Sequence, residues 1–415
     1  MNGPSASPRA RPPVALYVHV PFCVSLCPYC DFVVVAGSAT RGPENRITAF
    51  VEALRAELAL RADRLDEQFG TRGSGRPPLE TVYLGGGTPS LLPADAIAGL
   101  LELVDRRFAL GPDAEVTIEA NPGPDERGDA RALRAAGITR ISFGAQSLQP
   151  GELRSLGRRH RPRDTADAVA AAREAGIASI SLDLLYDVPG QTLASWIDSL
   201  ETALEIGPDH LSLYALTLDD PDAEGLTGPV GDHLPVTSGA RRWRARARSD
   251  QDDDRAAAQY HYAANHLAAE GWRGYEISNW ARPGHESRHN LAYWERRPYE
   301  AVGPGAHAFD GAVRRWNAAR LDGYLGALVP PAGIAPGLPP GGEETLDPVT
   351  AAVEDLILGL RTDRGIGSEA IPVEPLASVF GWALANELVA LGPDGRVRLT
   401  TRGRLLSNEI FARLV

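Results

Sequence analysis

The sequence predicts an α/β protein: a parallel sheet with its crossover helices, followed by a smaller, mostly helical, winged-helix-like domain. Three observations carry this. Between residues 14 and 218 a short apolar strand, a turn and an amphipathic helix recur. Several of the helical stretches stop at a glycine, at Gly137, Gly176 and Gly207, as helices commonly do. Beyond residue 349 the repeat gives way to helices around one strand-like run.

Taken in order, strands are expected over residues 14–20, 81–85, 115–120, 140–144, 179–186 and 210–218. Helices are expected over 47–61, 94–107, 130–136, 165–175 and 193–206. Such alternation means a parallel sheet with right-handed crossovers. Periodicity leaves open whether the sheet stays open or curves into a partial barrel. Residues 1–13 have no apolar stretch and read as a disordered tail. Residues 219–254 hold Pro, Gly, an Arg-rich run at 241–248 and an acidic run at 252–254, and read as a loop or linker. Residues 255–330 form a barrel-associated region: a helix at 255–269, a strand-like stretch at 274–280 and an aromatic, loop-rich segment at 285–316. A Pro/Gly-rich linker is expected at 331–348. The C-terminal domain, 349–415, has helices at 349–361 and 402–414 and a strand at 396–400.

The composition, 43% hydrophobic and 23% charged, is that of a soluble globular protein. A net charge of −12 argues against a general nucleic-acid binder, and the C-terminal segment is not basic enough for a DNA-reading winged helix. The sequence has no Lys, so all 42 basic residues are Arg, which reads as base-composition bias. No run approaches the ~18 apolar residues of a transmembrane segment, and the N-terminus lacks the apolar core of a secretory signal. The cytoplasm is the expected location.

All three cysteines fall in one window, Cys23-Val-Ser-Leu-Cys27-Pro-Tyr-Cys30. An odd number so closely packed is no disulfide framework. Three thiolates on one loop suit a soft metal centre in a reducing compartment. Structural zinc would need a fourth protein ligand, and His19 is poorly placed for it. An iron–sulfur cluster held by three thiolates keeps one iron free for chemistry.

Barrel enzymes place their chemistry at the C-terminal ends of parallel strands. The first strand here ends at the cysteine loop and the second in Gly85-Gly86-Gly87-Thr88. The third ends in Glu119-Ala120-Asn121, the fourth in Gln146-Ser147, and the fifth carries Asp183; Arg158 follows in Leu156-Gly157-Arg158. Each alone reads as structural: a helix cap, a buried hydrogen-bonder, a surface charge. Together at one mouth they offer glycine backbone for close approach, a cation for a carboxylate, and carboxylates and amides for a sugar.

The Cys-x3-Cys-x2-Cys spacing, with Tyr29 before the last cysteine, resembles the radical S-adenosylmethionine (SAM) signature. The strings LYVHVPFCVSLCPYCDF, YLGGGTPSLL, EANPG, RISFGAQS, LGRRH and DLLYDVPGQT are similar to the coproporphyrinogen III oxidase-like branch of that superfamily. The resemblance spans residues 14–330. It implies a partial (β/α)6 barrel and a [4Fe-4S] cluster on Cys23, Cys27 and Cys30. The open iron of such a cluster binds SAM, and one electron cleaves the sulfonium to a 5′-deoxyadenosyl radical. The resemblance also implies SAM contacts from Tyr17, Phe32, Gly86, Gly87, Thr88, Glu119, Gln146, Arg158, Asp183 and Thr217.

Within that branch, the oxidases carry a further Cys two positions after the third and a long N-terminal segment. Here Phe32 takes that position and 22 residues precede Cys23. Both departures point to the HemW-type haem chaperones. His289-Asn290-Leu291-Ala292-Tyr293-Trp294 also resembles their HNxxYW motif, which implies His289 as a haem ligand. Imidazole is a good axial ligand for haem iron, and His307 is a second candidate. The resemblance therefore implies a carrier of haem, cluster and SAM. Its partners would be an electron donor and haem-acceptor proteins, respiratory ones among them. A radical SAM enzyme that decarboxylates porphyrin propionates is the alternative.

Overall fold

Residues 8–37, 46–371 and 374–415 are described in a computed structural model. Six strands lie side by side in chain order, each parallel to the next: β1 (Ala15–Val20), β2 (Leu79–Gly86), β3 (Leu110–Ala120), β4 (Arg140–Gln146), β5 (Ser179–Tyr186) and β6 (His210–Ala215). The crossovers run through α1 (Ile47–Phe69), α2 (Ala94–Phe108), α3 (Ala130–Ala135), α4 (Pro150–Ser155), α5 (Pro162–Glu174) and α6 (Leu193–Ile206). This is the curved option, a partial (β/α)6 barrel.

Period-two alternation decides which face of each strand does what. Leu16, Val18, Val82, Leu84, Ile118, Ile141 and Leu182 point outward into the main hydrophobic core under the helices. The alternate positions carry Tyr17, Tyr83, Glu119, Ser142, Asp183 and Ser212, on strands that neighbour one another in register. A closed eight-stranded barrel fills its interior with layers of branched aliphatics. This interior is polar and leaves a cavity.

Residues 219–254, expected as a loop, contain α7 (Ser238–Arg248), whose N-terminus is capped by Thr237 accepting from Ala240 N–H. Arg244 of this helix is 3% exposed and folds in toward the cysteine loop, while the other arginines of the run stay exposed. Then follow α8 (Asp253–Ala269), β7 (Arg273–Gly274), β8 (Asn279–Ala281), α9 (Arg288–Trp294), β9 (Tyr299–Val302), β10 (His307–Phe309), β11 (Val313–Asn317) and α10 (Leu321–Leu328). The strand expected at 274–280 is split into β7 and β8, with buried Glu276 accepting from Ser278 N–H between them. β9 runs parallel to β1 on its other side, and β10 and β11 extend the sheet antiparallel. The expected linker 331–348 holds β12 (Gly341–Thr345), an edge strand paired with β11.

The C-terminal segment packs α11 (Pro348–Arg361), α12 (Leu376–Ala385), α13 (Thr401–Leu405) and α14 (Ser407–Leu414) around its own core of Phe380, Ala383 and Ile410. A small sheet of β13 (Ile366–Gly367), β14 (Val389–Leu391) and β15 (Arg396–Leu399), with β15 in the middle, completes it. The last helix, expected to be continuous, breaks at Leu406. Residues 1–7 of the expected tail lie outside the described residues; at Arg11 the backbone N–H donates to Asp310 O at 2.7 Å. No helix among the described residues is long and apolar enough to cross a membrane.

Candidate functional site

The cysteine loop leaves the C-terminal end of β1 and folds over the barrel mouth. It is pinned by Cys23 N–H to Val35 O (2.9 Å) and Val35 N–H to Pro21 O (2.7 Å). Gly87 and Thr88, just past β2, hold it through N–H donors to Val20 O (2.8 Å) and Phe22 O (2.7 Å). A Cβ on Gly87 would sit 2.7 Å from Phe22 O, so only glycine allows this approach. Gly86 has φ +104, and its missing Cβ leaves room for the His19 ring. The glycine run thus supports the loop as well as bordering the cavity.

All three thiols line a cavity of about 650 Å³. Thr88 Oγ1 donates to Cys23 Sγ (3.4 Å) and Arg158 Nη1 to Cys27 Sγ (3.5 Å). Burial pushes the Cys23 thiol up to about 11 and the Cys30 thiol up to about 12. Buried thiols of this kind give up their protons to a metal centre that supplies the missing positive charge.

The carboxylates line the same space. Glu119 accepts from Tyr83 OH (2.8 Å) and Gly86 N–H (2.9 Å), and burial raises it to about 7. Asp183 accepts from Ser142 Oγ (3.0 Å), and burial raises it to about 6. Arg158 donates to Gly144 O (2.7 Å) and to Asn121 Oδ1, while its buried Nε–H has no partner. An unused guanidinium N–H suits a ligand carboxylate. Gln146 closes β4 at φ +65, a strained position for a non-glycine residue, and it too lines the cavity.

Of the residues singled out from the sequence, Cys23, Cys27, Cys30, Phe32, Gly86, Gly87, Glu119, Gln146, Arg158, Asp183 and Thr217 all line this cavity. Thr88 is fully buried behind Cys23. Tyr17 borders a second cavity instead, its hydroxyl on His19 Nδ1 at 3.1 Å. Sequence reasoning missed Tyr83, Ser142, Ser212 and Tyr214, whose signal was the polar alternate position on each strand. It also missed Arg361 and Asn408, which the C-terminal segment contributes to the same lining.

The cavity runs the length of the barrel, from the cysteine loop to Ser287 and Asn290 around the N-terminus of α9. α9 therefore stands at the end of the barrel opposite the cysteines. Glu115, on the lower part of β3, accepts from His289 N–H (3.2 Å). The His289 ring is 1% exposed, with Nδ1 on Thr81 Oγ1 (2.7 Å) and Nε2 on Tyr293 OH (2.8 Å). Burial lowers it to about 3, so the imidazole is neutral.

Residues 17–203 match the family model described as the Radical SAM superfamily. A Mycobacterium tuberculosis protein named heme chaperone HemW is 37% identical over 421 residues, 99% of this chain and 97% of its own. The chain belongs to the HemW family of radical SAM proteins. The HemW relative of Escherichia coli is 34% identical over 74% of each chain. A Bos taurus relative, radical S-adenosyl methionine domain-containing protein 1, mitochondrial, is 34% identical over 99% of this chain and 88% of its own. The solved coproporphyrinogen III oxidase (HemN) of Escherichia coli superposes with a TM-score of 0.77 at 22% identity, over 97% of this chain and 90% of that one, and so shares the fold.

Membership of the radical SAM superfamily implies a [4Fe-4S] cluster and SAM. The donor set suits both. Three thiols share one loop, and a cationic side chain with one unused N–H stands beside them.

Proposed function

We propose that the chain is a haem carrier that holds a [4Fe-4S] cluster and SAM and passes haem to acceptor haem proteins. Membership of the HemW family supports this most strongly, because the similarity runs through both the barrel and the C-terminal segment. Cys23, Cys27 and Cys30 would hold the cluster. Arg158 would take the SAM carboxylate, the Gly86–Gly87 edge its amino group, and Glu119 and Asp183 its ribose. The cluster and SAM supply one-electron chemistry when bound. The chain's own residues enclose the site and raise the Glu119 carboxyl to about 7 and the Asp183 carboxyl to about 6. Phe32, where the oxidases carry a cysteine, favours the carrier. Three free thiols suit a reducing compartment, and we place the protein in the cytoplasm.

By the family motif, His289 is the haem ligand. Both of its ring nitrogens are engaged, so iron has to displace the Tyr293 hydroxyl from Nε2 or the Thr81 hydroxyl from Nδ1. Haem added to the cluster-loaded chain should give a Soret band that moves to an apo-haem acceptor, and His289→Ala should weaken both steps. Unchanged binding and transfer in that variant would remove His289 from the account.

The buried carboxylates and arginine favour a second reading, radical chemistry on a porphyrin. Anaerobic incubation with SAM, reductant and coproporphyrinogen III distinguishes the two. Formation of protoporphyrinogen supports the enzyme; its absence supports the carrier.

A further inference from the structure

A second cavity, about 260 Å³, lies on the inner face of β1 and β9. At its wall Asp232 uses both carboxylate oxygens on imidazoles. Oδ1 meets His233 Nδ1 at 2.9 Å, and Oδ2 meets His307 Nε2 at 2.9 Å. This arrangement fixes each ring. Among the described residues His233 Nε2 has no hydrogen-bond partner, and its side chain is 31% exposed. His307 in turn stacks on Trp316, with ring centroids 6.1 Å apart.

The segment bearing Asp232 and His233 is itself anchored. Ala319 N–H donates to Gly231 O (2.8 Å), and Trp316 Nε1 donates to Val230 O (3.2 Å). Gly305 has φ +72, and a Cβ there would meet Asp232 O at 3.1 Å and the Val33 side chain at 2.5 Å. The imidazole pair is therefore built on close backbone contacts, between an irregular segment at 232–233 and the first residue of β10.

The chemistry of the cavity narrows what it takes. A bare divalent ion of the zinc type draws on three or four protein donors. Here the carboxylate is spent on orienting two rings, and each ring keeps one nitrogen without a partner among the described residues. A metal that brings its own equatorial ligands needs no more than that. An imidazole whose other N–H is held by a carboxylate is the usual buttressed metal ligand. Much of the remaining wall is aromatic, from Tyr17, Phe32, Tyr293 and Tyr299, with His19 and Asp31 as its other polar side chains. Phe32 is 65% exposed and lines the cluster cavity as well, so it stands between the two spaces. A large exposed ring there offers a face for a flat apolar macrocycle.

We propose that His233, oriented by Asp232 and backed by His307, is a surface axial-ligand site for haem iron, with the porphyrin edge against Phe32. This rests on the haem-carrier reading above. It adds an accessible point of arrival, distinct from the buried His289.

The test is a haemin titration of the full, cluster-loaded chain, read by difference absorption and by the ferric-haem EPR signal. His233→Gly should weaken binding by at least about ten-fold and change the axial-ligand signature, and added imidazole should restore both. Asp232→Asn keeps the shape and should weaken binding about 10–100-fold, as loss of an orienting partner does. His289→Ala should leave the His233-dependent signal in place; its disappearance there would overturn the site. If wild type binds haemin and both variants at 232 and 233 bind it identically, the site is wrong while the carrier reading stands. If wild type binds no haemin at all, both fall.

Discussion

The guanidinium of Arg244 holds the carbonyl oxygen of Cys30 at 3.0 Å. The same side chain donates to Pro28 O (3.1 Å) and to Asp31 Oδ1 (2.6 Å), and it reaches Asp219 O. A helix more than 200 residues further along the chain thus closes over the cysteine loop. Without the guanidinium, two loop carbonyls and a partly buried carboxylate lose their partner, at a cost of about 2–3 kcal/mol. Arg244→Gln should therefore fold yet lose iron and sulfide faster in air than wild type. Equal cluster lifetimes would show that the loop holds itself.

Gly87→Ala is expected to act on the same loop from the other side. Its Cβ would meet Phe22 O at 2.7 Å and Val20 O at 2.8 Å, so backbone must move. Overpacking of this kind costs about 1–3 kcal/mol. The thermal midpoint should fall, and iron bound per chain after anaerobic reconstitution should fall with it. A variant with full iron content would contradict the close approach of the two loops.

Much of this was legible in the sequence, for a definite reason. Strands such as 140–146 and 179–186 alternate apolar and polar residues, and the polar set includes Ser142 and Asp183, which turn into the cavity. The cysteines needed no folding argument, since their spacing alone brings them onto one loop. α7 was hidden because its sequence is mostly Arg and Ala, and its apolar stripe is only Ala240, Trp243 and Ala247. Trp243 and Ala247 pack on Leu156, Leu185 and Leu216, and Arg244 is buried on carbonyl partners in the cysteine loop, all remote in sequence. β12 was hidden for a similar reason: Gly-Gly-Glu-Glu-Thr has no apolar residue and forms because β11 offers it a backbone ladder. The second cavity was illegible, since Asp232, His233 and His307 meet only in the fold.

Glu119 makes the apo-protein pH-sensitive. Its folded value, about 7, lies above the ordinary 4.5. Between those values the folded state binds more protons than the unfolded one, so stability falls as pH rises. The contribution is complete below about pH 4.5 and is lost through pH 7, a change of about 3 kcal/mol. Glu119→Gln cannot titrate. Thermal midpoints of the two proteins between pH 5 and 8 (roughly the span where the difference develops) should diverge, with the variant gaining on wild type at the alkaline end. Parallel curves would mean that Glu119 is ionised throughout.

Tyr293 guards the motif histidine. Its hydroxyl occupies His289 Nε2 at 2.8 Å, and displacing it costs one buried hydrogen bond, about 1 kcal/mol, or roughly five-fold in affinity. Tyr293→Phe should tighten haem binding by about that factor if His289 takes the iron through Nε2. A large loss of binding would instead make the tyrosine itself a haem contact.

Transfer of haem from the cluster-loaded chain to an apo-haem protein tests the central claim most directly. The chain should show a Soret band on haem addition, and that band should decay as the acceptor's band grows. A chain that shows no Soret band, or that keeps its haem in the presence of excess acceptor, would contradict a carrier.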